Sequence, residues 1–215
     1  MFNLNFKKIF IEYYDIISKY NKINFKSPIK EIKHNSKVFK TIFENLKSNG
    51  AIIDLLKFNH LTFGYNYNQQ IDVSSNIYLL HLDFNTLFNQ ELNLSKNINL
   101  TYLKMGCAFN KEIDLSNNIN LTYLTFGDSF NKEIDLSNNV NLTHLNFESY
   151  FNQKIDLSNN INLTHLTFSY CFNQKIDLSN NINLTHLTFG TNFNQKIYIP
   201  FNVKSLRMFN CNNNI

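Results

Sequence analysis

The sequence is poor in the residues that usually shape turns and cross-links: its 215 residues include five glycines, two prolines and three cysteines. Calcium-binding repeat coils turn on glycine-rich loops, so so few glycines exclude that class. An odd cysteine count does not close a disulfide framework and fits an intracellular chain. No run approaches the ~18 consecutive apolar residues of a membrane span. The opening stretch MFNLNFKKIFIEYYDIISKY lacks the unbroken apolar core of a signal peptide. A phosphate loop is missing, and no serine or cysteine nucleophile recurs beside a base, so the sequence reads as no enzyme and calls for no cofactor and no metal.

Charge is also scarce, at 17% of residues, and unevenly placed. Residues 1–57 hold eleven Lys against five acids, whereas residues 58–215 hold nine Lys or Arg against eleven acids. Nucleic-acid binders concentrate positive charge on their recognition surface. The long near-neutral part therefore argues against nucleic acid as a partner.

What the chain has in abundance is asparagine, 40 residues of it, set among Leu, Ile and Phe at fixed spacing. An aromatic-Asn pair recurs every 21 residues, at Tyr67, Phe88, Phe109, Phe130, Phe151, Phe172 and Phe193, without an insertion. Aligned on that anchor, six further columns are apolar, beginning at Leu61, Phe63, Ile71, Val73, Ile77 and Leu79, and all are expected to point inward. Two stretches per repeat, Lys-Ile-Asp-Leu and His-Leu-Thr-Phe, alternate with period two, which is the strand signal. The expected fold is mainly β: a solenoid of about seven 21-residue coils, two short strands in each, stacked about 4.8 Å apart. A lone coil buries too little to offset its ordering, so only the array folds.

Asn follows the anchor in all seven coils (Asn68, Asn89, Asn110, Asn131, Asn152, Asn173, Asn194) and is expected to satisfy backbone groups at a bend. The Asp column (Asp72, Asp114, Asp135, Asp156, Asp177) is expected to pair with nearby lysines. Asn-Leu-Thr recurs at Asn99, Asn120, Asn141, Asn162 and Asn183, an acceptor pattern for glycosylation that repetition alone explains. Cys107 and Cys171 lie three coils apart, about 14 Å, beyond the ~7 Å limit for a disulfide.

The spacing Leu163-x-x-Leu166-x-Phe168 matches the opening of a leucine-rich repeat. With the Phe-Asn anchor and His-Leu-Thr-Phe-Gly, it resembles the FNIP repeat family of social amoebae and giant viruses. Phe193, Asn194, Ile199 and Pro200 spell the full motif in the last coil, which is also two residues shorter. Earlier coils place Leu-Ser, such as Leu178-Ser179, where Ile-Pro is expected. The resemblance covers about residues 58–209 and implies a non-enzymatic protein-interaction scaffold, in the cytoplasm (a host's, if viral). Many family members also carry an amino-terminal F-box, which would make a cullin-ligase adaptor a partner.

Residues 1–57 read as a helical segment, a cap or a divergent F-box. Phe6, Ile9, Phe10, Tyr13, Ile16, Ile17 and Tyr20 fall at helical spacing. Ser36 caps a second stretch carrying Val38, Phe39, Ile42, Phe43 and Leu46, with Gly50 beyond its end. The Leu-Pro opening of F-boxes is missing, which favours a cap on the first coil.

The candidate binding face is the outward column between the inward leucines and phenylalanines: His81, Tyr102, Tyr123, His144, His165 and His186. Two residues further on, the same outward side carries Asp83, Lys104 and Asn146 among threonines. A metal could bridge neighbouring histidines, but Asp83 is the only carboxylate beside them on that face. A row of His and Tyr suits recognition of a protein partner.

Overall fold

The computed structural model describes residues 59–209, together with the backbone of Ile9 and Phe10. The described residues form one parallel sheet of nine strands in sequence order. These are β1 (Ile9–Phe10), β2 (His60–Phe63), β3 (His81–Phe84), β4 (Tyr102–Lys104), β5 (Tyr123–Phe126), β6 (His144–Phe147), β7 (His165–Phe168), β8 (His186–Phe189) and β9 (Ser205–Met208). From β2 to β8 each residue pairs with the one 21 positions later, for example Leu145 with Leu166 and Phe147 with Phe168. The last pairing, His186 with Ser205, shows the shorter final coil.

Ile9 and Phe10 are a strand rather than a helix, paired with Leu61 and Thr62. The first coil leaves one edge of backbone donors and acceptors open, and β1 fills it. The rest of the helical cap expected over residues 1–57 lies outside the described residues.

The core is a stack of leucines and rings. The anchor aromatics and the Leu61, Phe63, Val73 and Leu79 columns are buried in the central coils, most at 0–1% exposure. Within one coil the anchor ring lies 3.8–3.9 Å from the inward strand phenylalanine, as in Phe84–Phe88 and Phe126–Phe130. The Ile71 column is partly buried against this core. Coils approach closely where glycine follows the strand: a Cβ on Gly106 would overlap the carbonyl oxygen of Asn85.

One expected inward column faces out. Ile77, Ile98, Ile119, Val140, Ile161 and Ile182 are 42–61% exposed. The preceding residues, Asn76, Asn97, Asn118, Asn139, Asn160 and Asn181, are completely buried instead. The reason lies in the turn that closes each coil. Its carbonyls point into the stack, where an unpaired polar group is costly. The Asn139 side-chain Nδ2 donates to Leu115 O and Asn118 O, both at 3.0 Å. Asn97, Asn118, Asn160 and Asn181 repeat the pair of bonds. An amide satisfies these groups where an isoleucine side chain cannot, so Asn turns in and Ile turns out.

The second expected strand is not one. Lys-Ile-Asp-Leu is irregular and forms no ladder. Neighbouring rings in each column are nearly parallel, so their separation follows the local coil spacing. It is 4.2 Å between His144, His165 and His186 on the outer side of the sheet. It grows to 5.5 Å between Phe126, Phe147 and Phe168 on the inner side, and to 6.0–6.1 Å between the anchors Phe109, Phe130, Phe151 and Phe172. The coils fan open away from the sheet, although backbone bonds still join them just before the anchors, as from Ser129 N–H to Cys107 O at 2.8 Å and from Tyr150 N–H to Asp128 O at 2.9 Å. Asparagine side chains bridge the wider gap. The N–H of Asn152 donates to Asn131 Oδ1 at 2.9 Å, and the other five rungs of this column span 2.8–3.0 Å. The expected structural ladder after the anchor is therefore present, but its residues are half-buried to exposed.

Two more ladders line the turn. Asn99, Asn120, Asn141, Asn162 and Asn183 donate to the exposed column's carbonyls, and Thr101, Thr122, Thr143, Thr164 and Thr185 donate to carbonyls one coil back. All these rungs share one sense: the later coil donates and the earlier coil accepts.

Candidate functional site

The strand positions between inward leucines and phenylalanines face out because a strand alternates sides. The structure brings the sequence-selected residues into one continuous column. His81, Tyr102, Tyr123, His144 and His165 are half-buried and His186 is exposed. Their rings stack face to face, at 4.0 Å for His81–Tyr102, 4.5 Å for Tyr102–Tyr123 and 5.6 Å for Tyr123–His144. Each ring covers its neighbour's face, so the column offers partners its edges: phenol hydroxyls and imidazole nitrogens. The fan spacing makes this side concave along the solenoid.

Asp83, Lys104 and Asn146 flank the column on the same side. Lys104 Nζ lies 3.8 Å from Asp83 Oδ1 on the preceding coil, and Asn146 Nδ2 donates to Glu148 Oε1 at 2.7 Å. Burial, with the Asp83 charge and Tyr123 behind it, pushes the Tyr102 phenol up to about 12, so it stays protonated. Burial and then the His186 imidazole hold His144 below the ordinary histidine value. His165 is lowered by burial first, then by His144 and His186. At Tyr102, His144 and His165 these shifts all favour the neutral ring. On the opposite flank runs a groove of about 680 Å³, walled by asparagines such as Asn120 and Asn141 and threonines such as Thr122 and Thr143.

Sequence reasoning missed the contact between the groove and the column. Thr143, Thr164 and Thr185 Oγ1 sit 2.9–3.0 Å from Nδ1 of His144, His165 and His186. The recurring Thr-His dipeptide was the available signal.

The Asp column does different work from that expected. Asp114, Asp135, Asp156 and Asp177 each accept the N–H of the serine two residues on, at 2.8–2.9 Å, rather than pairing with lysine. Those backbone hydrogen bonds, then the serine hydroxyls, hold the carboxyls below their usual range. A local turn bond needs no long side chain held in place, unlike an exposed ion pair. Cys107 and Cys171 are free thiols. Among the described residues no group of three or more His, Cys, Asp or Glu is disposed to hold a metal ion, and no helix is long and apolar enough to cross a membrane.

No family model matches the chain, and no curated protein matches it. Among solved structures it resembles CroV588, a giant-virus protein described as having a novel circular leucine-rich-repeat structure. The likeness has a TM-score of 0.57 at 38% identity and covers 71% of this chain but 24% of CroV588, so the chain spans about a quarter of that protein's length. It also resembles the functional domain of InlJ from Listeria monocytogenes, which includes a cysteine ladder, with TM-score 0.45, 21% identity, and 72% and 44% of the two chains covered. The chain is a leucine-rich-repeat-like parallel β-solenoid of about seven coils.

Proposed function

We propose that the chain is a non-enzymatic protein-binding module of FNIP-type repeats, whose partner docks on the concave His/Tyr face. Leucine-rich-repeat-like solenoids usually mediate protein–protein interaction, which supports the class of function. The observation that carries the choice of face is the stacked column itself. Its rings are fixed by their neighbours, so little side-chain freedom is lost on binding, and aromatic anchors dominate affinity at interfaces. Beside it the sequence varies through Asp83, Lys104 and Asn146 while the buried leucines stay constant. The concave shape suits a convex partner. An adaptor of a cullin ubiquitin ligase as partner depends on residues 1–57, outside the described residues.

The test compares two double variants against the partner recovered by affinity purification. Tyr102→Ala with Tyr123→Ala weakens binding by about 2 kcal/mol or more, while Asp135→Ala with Asp156→Ala, on the other side of the coil, leaves it unchanged. Loss of the partner in the Asp pair alone places recognition on the opposite side.

A further inference from the structure

The hydrogen positions in the Thr–His contacts follow from the oxygen atoms around them. Thr164 Oγ1 lies 3.0 Å from the carbonyl oxygen of Thr143 and 2.9 Å from His165 Nδ1. A carbonyl oxygen carries no hydrogen, so a hydrogen bond between these two oxygens uses the threonine hydroxyl's own proton, its single donor. The same carbonyl also takes the N–H groups of Thr164 and His165. Were the hydroxyl turned onto Nδ1 instead, two oxygens would face each other at 3.0 Å with nothing between them. With the hydroxyl hydrogen directed at the carbonyl, the arrangement that satisfies both contacts has Nδ1 carrying the imidazole hydrogen and donating to Thr164 Oγ1. The neutral ring then has a bare lone pair at Nε2, its outer nitrogen. Thr143 with His144, and Thr185 with His186, repeat the geometry.

We propose that His144, His165 and His186 form a proton-operated hydrogen-bonding strip. Neutral, it offers three outward acceptors to the N–H or O–H donors of a protein partner; protonated, it offers three charged donors in their place. The proposal rests on the concave-face reading above for its partner, but not for its chemistry. Acidification reverses the hydrogen-bonding sense of the strip, because Nδ1 is already a donor and the incoming proton goes to Nε2. It also sets cations side by side, with rings 4.2 Å apart. Protonation is opposed by burial at His144 and His165 and by the neighbouring imidazoles. The groups around the strip do not cancel that charge evenly. Tyr123 stacks on His144, Asn146 is hydrogen-bonded to Glu148 beside it, and the following coil brings Lys204 and Arg207 alongside Thr185 and Thr188, next to His186. Asp83, Lys104 and Tyr102 sit further along the same column.

The full chain, labelled with nitrogen-15, tests this without a partner. Long-range nitrogen–proton correlation spectra at pH 7.5, assigned with single His→Gln variants, should show the Nδ1–H tautomer at all three histidines. His144 and His165 should gain their second proton only below the ordinary histidine range. Thr164→Val should release His165 into a mixture of tautomers while His144 keeps its own. An Nε2–H tautomer in the unmodified chain overturns the proposal, as does protonation of His144 and His165 at or above the ordinary value. Because these readouts need no partner, failure of the strip and failure of the binding-face reading are told apart.

Discussion

The two sides of each coil are held to their neighbours by different proportions of backbone and side-chain bonding. On the sheet side, where ring columns are 4.0–5.8 Å apart, backbone pairs with backbone. On the anchor side, where they are 6.0–6.1 Å apart, backbone bonds such as Ser129 N–H to Cys107 O remain just before the anchor, and side-chain amides reach across beyond it. Backbone pairing tolerates many sequences, because the groups that pair belong to every residue. Amide bridging tolerates few, because each rung needs the same short side chain in the same place. The difference explains why the sheet's outward positions vary among His, Tyr, Thr, Asp, Lys and Asn, while Asn follows the anchor without exception.

The most severe way to break this arrangement is to shift one side against the other. Deleting residues 130–150, one whole coil, keeps every ladder in register and should leave a shorter folded protein. Deleting residues 130–139 alone sets anchors against strands and should abolish cooperative melting followed by circular dichroism. Equal behaviour of the two deletions contradicts the 21-residue stacking.

A finer break separates the two asparagine ladders. Asn139→Ala removes both bonds to buried carbonyls and should cost roughly 1–3 kcal/mol in denaturant unfolding. Asn131→Ala, at an exposed rung, leaves its partner N–H open to water and should cost about 0.5 kcal/mol or less. A larger loss at Asn131 than at Asn139 reverses the assignment of the buried ladder.

The smallest effect belongs to the sheet side and is read by pH. His144 and His165 are held below the ordinary value of 6.5, so over that range the unfolded chain binds protons that the folded chain declines. Stability is then full above the ordinary value and is lost as pH falls through it towards the lowered ones. The melting temperature should drop by roughly 2–4 °C from pH 7.5 to 5.5, and by less in a chain carrying His144→Asn and His165→Asn. A rise on acidification contradicts the lowered values.

Much of this was legible because the period is unbroken. The anchors, the buried leucines and the outward His/Tyr column all follow from a spacing of 21 and alternation along a strand. The exchange of Asn76 for Ile77 was not. Residue preference places isoleucine inside and asparagine outside, and that preference yields only once the coil closes and its carbonyls must be satisfied. The Lys-Ile-Asp-Leu stretch has the alternation of a strand, but pairing depends on the distance to the next coil, which the fan sets and no single coil encodes. The column's membership was readable, whereas the state of its histidines needed the threonine contacts, which join two coils and the ring beside them.

The shared sense of the side-chain rungs has a consequence for how the molecule is made. A coil leaving the ribosome finds the preceding coil's carbonyls already in place and brings its own Asn and Thr donors to them. Synthesis and assembly therefore run in the same direction, each finished turn serving as a template for the next. In these side-chain ladders, a chain interrupted at any coil would end in acceptors, which water fills readily, rather than in stranded Asn and Thr donors.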